Sequence, residues 1–438
     1  MGARLAALAG TVGLAAILAA AAAPGAATTD PGDRQPWSAE ERAALYRHAP
    51  LPPLPPDPTN AAAEDPRAAR LGQALFFERR LSTNTAVACA SCHLPEKAFA
   101  DGRPVGTGLA PGERNTPTLL NAGFNHWFFW DGRADTLWAQ ALHPIEDPRE
   151  FGGDRLHAVR LVAEDPALRP AYAEVFGPPP PLEEVHRFPR HGFPDRAPRS
   201  RAASAWAGMA PADQHAVNRM YANLGKALEA YVRQLVSGDS PFDRYVAALQ
   251  RGDRGEAQRY PAAATRGLAL FVGAARCELC HAGPTFADGE FHNLGLSVPD
   301  GKAPDTGRAA GIPAVRADLF NASGPFSDAP HGRAGDQLRY LPTPASQLGS
   351  FKTPSLRNVA LTAPYMHDGR FATLPAVLDF YAQGKPARPG QRLVGDREAT
   401  LDLVPHLSPA QIADLVAFLE TLTGAPVPTR LTHPPDAP

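Results

Sequence analysis

All four cysteines of this chain fall in two copies of one five-residue pattern, Cys89-x-x-Cys92-His93 in "VACASCH" and Cys277-x-x-Cys280-His281 in "RCELCH". A disulfide in each pair, or one zinc ion on four thiolates, accounts for the cysteines. Neither accounts for the histidine that follows each pair. One chance C-x-x-C-H in a chain of this length has a probability on the order of one in a thousand, and two that consume every cysteine are far rarer. Covalent attachment of two c-type haems explains both motifs: the thiols add to the porphyrin vinyl groups and the adjacent imidazole ligates iron.

At 438 residues the chain is long enough for two ordinary domains. Its formal charge of −2 provides neither a basic field for nucleic acid nor a polybasic membrane contact. Residues 1–27 have the form of a secretory leader, with one arginine, an apolar run and an A-x-A-like end. The expectation is therefore an exported, periplasmic protein with the leader cleaved and no membrane span in the mature form, since no later stretch reaches the roughly 20 apolar residues that a span needs.

The two motifs sit in a duplicated chain. G-x-A-L-F precedes each, at 72–76 and 267–271, and F-A-D-G follows each, at 99–102 and 286–289. Further on, "TPTLLNAGFNHWFFWDGRADTL" (116–137) matches "TPSLRNVALTAPYMHDGRFATL" (353–374) without a gap. Self-similarity at this scale predicts two haem domains. Helical spacing ahead of each motif, a long amphipathic stretch at 211–238 and another at 408–424, capped by Ser408, predict a mainly α fold with long loops. The expected division is a proline-rich extension at 28–64, an N-terminal cytochrome c-like domain at 65–250 with an insertion at 177–210, a C-terminal one at 251–425, and a tail at 426–438. The Pro/Arg/His-rich run 177–200 and the segment 314–347 read as surface excursions.

The order and spacing of "RNTPTLLN", "FWDGRADTL", "DPREFGG" and "KTPSLRNVALTAPYMHDG" around the two motifs resemble the bacterial diheme cytochrome c peroxidase/MauG family over roughly 65–425. The resemblance implies that the haem on His93 is the peroxidatic one and that the haem on His281 receives electrons. It puts Trp130 between the haems as a relay and Glu150 of "DPREFGG" beside the peroxidatic haem as the acid/base. Trp127 and Trp138 read as core aromatics. Many relatives carry a resting histidine ligand in the loop that is "RPVGTGLAPGE" (103–113) here; this loop has none, which implies an open peroxidatic iron, with His126 or His143 as the substitutes that could swing in.

Peroxidases of the family offer a methionine to the second haem 14 residues past the histidine of H-D-G. Counting from His367 reaches Tyr381, a ligand type used in MauG-like proteins, with Met366 the runner-up. The resemblance further implies a calcium ion on Asn115 and the carbonyls of Thr362 and Pro364. Arg357 and Arg133 are candidate partners of the haem carboxylates.

Three functions follow as expectations. The first is an exported peroxidase reducing hydrogen peroxide with electrons from a small cytochrome c or cupredoxin. The second is a MauG-like enzyme oxidising Trp or Tyr side chains of a partner protein. The third is a diheme electron carrier without catalysis.

Overall fold

The computed structural model describes residues 37–194, 200–383 and 392–438; the leader reading falls outside them. Its helices, in chain order, include α1 (Ala39–His48), α2 (Pro66–Phe76), α3 (Leu137–Glu146), α4 (Pro211–Val232), α5 (Pro241–Arg251), α6 (Ala262–Val272), α7 (Arg308–Ala317), α8 (Leu374–Gln383) and α9 (Pro409–Glu420). Among the described residues the one sheet is a pair of two-residue strands, β1 (Phe291–His292) and β2 (Phe351–Lys352), antiparallel with Phe291 opposite Lys352. No helix of the described residues is long and apolar enough to cross a membrane.

The glycine of each G-x-A-L-F lies at a helix crossing. Where α2 meets α4, a Cβ on Gly72 would sit 1.8 Å from the Ala227 carbonyl oxygen; where α6 meets α9, one on Gly267 would sit 1.9 Å from that of Asp414. Such contact permits only a hydrogen at these two positions. The rest of the repeat is equally literal. Asn121 and Asn358 both hold φ near +60°, at 61° and 62°, and each opens a short 3-10 turn. Phe128 bridges Ala134 as Tyr365 bridges Phe371.

Helix boundaries follow local chemistry. Ser408 caps α9 with a reciprocal bond from Gln411, as expected. Helix α4 stops at Val232, short of Gly238, because the next turn is taken by Asn121. The Leu235 carbonyl accepts from its backbone N–H at 2.9 Å, and Ser237 exchanges two bonds with its side-chain amide.

The two long segments are not simple surface excursions. Leu182 and Phe188 of the proline-rich run are buried in the main core, held by Arg160 donating to the Phe188 carbonyl and by Arg187 on Asp213. Segment 314–347 begins inside α7 and sends Phe320 and Phe326 into the same core. Trp138 lies in that core too, as read from the sequence, with its indole N–H donating to Thr59. Contacts join Ser38–Pro438 into one unit.

Candidate functional site

Each C-x-x-C-H begins a tight turn that brings its histidine back under the F-A-D-G segment. The His93 Nδ1 lies 3.0 Å from the Phe99 carbonyl, and the His281 Nδ1 lies 2.8 Å from the Phe286 carbonyl. An Nδ1–H held this way leaves Nε2 as the lone-pair nitrogen. Burial lowers the pKa of both imidazoles, so both are neutral and fit to ligate a metal. Phe99 and Phe286 adopt matching left-handed backbones, φ 56° and 54°, that aim these carbonyls.

The four thiols are free, which removes the disulfide reading. They do not converge on one another either. Among the described residues the one group of three or more potential ligands is Cys280, Asp288 and His292, so a four-cysteine zinc site is removed as well. Burial pushes the Cys89 and Cys277 thiols up to about 12. Protonated, unpaired thiols beside a neutral histidine at both motifs fit covalent haem attachment.

Around the second motif the fold encloses a cavity of about 1120 Å³. Cys277, Cys280, His281, Trp130, Met366 and Tyr381 all border it. Tyr381, on α8, is pushed up by burial and then by the Cys280 and Cys277 thiols, which places its phenol close to the attachment site. Asn115, Thr362 and Pro364 border the same cavity. The Asn115 amide nitrogen donates to the Arg103 carbonyl at 2.8 Å, which leaves Oδ1 as its acceptor for a cation.

Arg357 is engaged elsewhere. Its guanidinium forks onto Asp243 with two 2.9 Å bonds and donates to the carbonyls of Pro284 and His48, so four of its five N–H groups are already used and no pair is left to fork onto a haem carboxylate. Arg133 ion-pairs with Asp131 at 3.2 Å and stacks on Phe129. Several cations border the cavity, among them Arg114, Arg276, Lys302, Arg370 and Lys352; burial lowers Lys352 to about 8, and its Nζ has one 3.4 Å bond to the Thr353 carbonyl.

At the first motif Glu150 is held by the loop 103–113. Leu109 N–H donates to the Glu150 carbonyl at 3.0 Å and Ala110 N–H to that of Arg149 at 2.9 Å. The same loop reaches the motif through Thr107, whose carbonyl lies 3.4 Å from the Cys92 Sγ. The Glu150 carboxyl is pushed up by burial and by Asp147, against Arg133 and His143, and its charge is felt at Cys89 and Cys92. Among the described residues no side chain hydrogen-bonds to it. His143 bonds to Asp318 at 3.0 Å, and His126 is exposed.

Trp130 connects the two regions. Its indole N–H donates to the Asn115 carbonyl at 2.9 Å, and two residues on, the Pro117 carbonyl reaches His93. On its other side Trp130 borders the cavity of His281.

Sequence reasoning missed the surroundings of the second motif. His292 is pushed up to about 11 by Asp288, Cys280 and Glu398, and the buried His48 of α1 stacks on Phe286 with ring centroids 4.6 Å apart. For His48 no local pattern marked the partner, which lies more than two hundred residues away. For His292 the one available hint was its spacing from Asp288, four residues earlier.

Residues 66–251 match the family model described as di-haem cytochrome c peroxidase. The chain is 33% identical to the methylamine utilization protein MauG of Methylorubrum extorquens, covering 91% of this chain and 90% of that one. The chain belongs to this diheme peroxidase/MauG family. It is also 32% identical to the cytochrome-c peroxidase IdrP1 of Denitromonas iodatirespirans, over 88% of this chain and 89% of that one. Among solved structures it resembles the diheme peroxidase BthA of Burkholderia thailandensis, with a TM-score of 0.58 at 26% identity, covering 85% of this chain and 91% of that one. Family membership makes it a peroxidase-type oxidoreductase with two haems.

Proposed function

We propose that the chain is an exported peroxidase that reduces hydrogen peroxide to water, with electrons entering through the second haem from a small cytochrome c or cupredoxin. The two halves, 65–250 and 251–425, act as tandem cytochrome c-like domains. The observation that carries this reading is the asymmetry between otherwise duplicated sites. The first motif faces a half-buried carboxylate with no side-chain hydrogen bond among the described residues, whereas the second faces a cavity bordered by Tyr381 and Met366.

Cys89, Cys92 and His93 would hold one haem, which would supply redox chemistry toward peroxide, and Cys277, Cys280 and His281 would hold a second, which would supply electron storage. Glu150 does the proton work: its carboxylate takes a proton from one peroxide oxygen and returns it to the other, so that water leaves. Burial raises its pKa, which favours the protonated form that the exchange passes through, and the loop 103–113 holds its backbone. Two electrons and two further protons complete the reduction to a second water. Trp130 carries those electrons between the halves; its bond to the Asn115 carbonyl and its position at the edge of the second cavity support that role. Lys352 is positioned to meet a haem carboxylate in the second cavity, and Asn115, Thr362 and Pro364 supply oxygens for calcium.

A specific observation favours a second reading. Tyr381 beside Cys280 supports a MauG-like enzyme, in which oxidising equivalents held across both haems oxidise Trp or Tyr side chains of a partner protein, because a phenolate ligand favours ferric iron. A non-catalytic carrier has no use for Glu150. The test mixes fully oxidised holoprotein with hydrogen peroxide, then adds reduced cytochrome c. Oxidation of the donor with two electrons per peroxide supports the peroxidase; a peroxide-oxidised state that persists and ignores the donor supports the second reading. No reaction with peroxide overturns both.

A further inference from the structure

Two tryptophans occupy the turn that joins the halves, and they are treated differently. Trp130 faces the cavity and has no cation over its ring among the described residues. Trp127 is half-buried, and the guanidinium carbon of Arg308 lies 4.1 Å from its ring centroid. The same guanidinium lies 4.0 Å from the Phe291 centroid, and the two rings meet edge to face with centroids 6.2 Å apart, so the cation sits in the corner they form.

Arg308 is 2% exposed, at the start of α7. It donates to the carbonyls of Gly132 at 2.6 Å and Asp131 at 3.3 Å, and among the described residues no carboxylate ion-pairs with it. Burial lowers its pKa to about 10, which leaves it charged at neutral pH. The turn is shaped around it: a Cβ on Gly132 would sit 2.4 Å from its Nη1 and 2.4 Å from Phe291. Burying a cation with no carboxylate in direct contact is costly; the nearby Asp131, Glu290 and Asp135 offset part of that cost and stacking on aromatic faces another part.

Such an arrangement acts on the redox chemistry of the ring below. Removing an electron from Trp127 puts a positive charge against the buried guanidinium, and it also ends the attraction of the ring face for the cation. Trp127 is therefore harder to oxidise than Trp130, although the two are three residues apart.

We propose that Arg308 is a positioning residue that guards Trp127, keeping the oxidising equivalents from peroxide on the Trp130 route and away from a half-exposed side chain. The proposal rests on the relay reading of Trp130. The unguarded reaction is balanced: Trp127 gives two electrons and two protons and takes oxygen from water to become hydroxytryptophan, while hydrogen peroxide takes the electrons and protons and becomes two waters.

The experiment treats oxidised holoprotein with one equivalent of hydrogen peroxide without donor, and peptide mass spectrometry then measures hydroxytryptophan at positions 127 and 130. R308Q is expected to raise oxidation at Trp127 at least tenfold, while R308K, which keeps the charge, stays within twofold of the parent. Unchanged oxidation at Trp127 in R308Q that binds two haems overturns the proposal. If R308Q does not fold, W130F decides with Arg308 intact: the guard predicts that Trp127 oxidation stays low, and its rise to the level found at Trp130 in the parent overturns the proposal. Failure of the relay reading shows separately, as donor-supported turnover that W130F leaves unchanged.

Discussion

Gly108→Ala tests the placement of Glu150 without touching its carboxylate. A Cβ at Gly108 would lie 2.6 Å from the Glu150 Cα, 2.6 Å from its carbonyl oxygen and 2.8 Å from the Arg149 carbonyl oxygen. Carbon contacts are comfortable at about 3.5–4.0 Å, so one strand must move by about 1 Å. The loop is tied to Cys92 through Thr107 and closed on itself by Gly106 and Gly112, so the Glu150 segment gives way. Overpacking of this kind costs about 1–3 kcal/mol, a loss that leaves a folded protein. A displacement of about 1 Å in a catalytic group costs roughly a hundredfold in rate. Stopped-flow reaction of the oxidised holoprotein with hydrogen peroxide, followed in the Soret band, should show that loss. E150Q should fall by about 10²–10⁴. If G108A binds two haems and reacts within twofold of the parent rate, the loop does not position Glu150 and the reasoning fails.

Burial raises the Glu150 pKa, so the base form is lost as pH falls through a value above the usual carboxylate range; the peroxide reaction should decline on that limb, and a pH profile of E150Q should lack it. Gly72→Ala and Gly267→Ala should each lower stability by about 2 kcal/mol or more, read as a shift in thermal midpoint, because each forces apart a helix pair in near-contact; an unchanged midpoint in either contradicts the crossing geometry. Y381F should change the spectrum and lower the ferric stability of the second haem while M366L leaves both unchanged; the reverse pattern makes Met366 the ligand.

The attachment motifs and the duplication could be read directly because they are short-range patterns, and the structure explains why both glycines of G-x-A-L-F recur. Glu150 and Tyr381 were proposed from their spacing to recognisable turns; the Glu150 carboxyl acts on Cys89 and Cys92, and Cys280 and Cys277 act on the Tyr381 phenol. The failures have a common cause. Arg357 reads as a free fork, but its partner Asp243 is 114 residues away. Leu182 and Phe188 are isolated apolar residues among prolines, with no periodicity to mark them as core. Arg308 shows no sign in the sequence of its partners, and its place in the corner between Trp127 and Phe291 exists only once the 127–132 turn meets β1 and α7.

Haem stoichiometry tests the central claim most directly. Protein made in a host competent in cytochrome c maturation, examined by intact mass and iron content, should carry two covalently bound haems per chain. The C89A/C92A and C277A/C280A variants should each carry one. A single haem in the parent protein, or two that denaturation removes without breaking a thioether, would contradict the account.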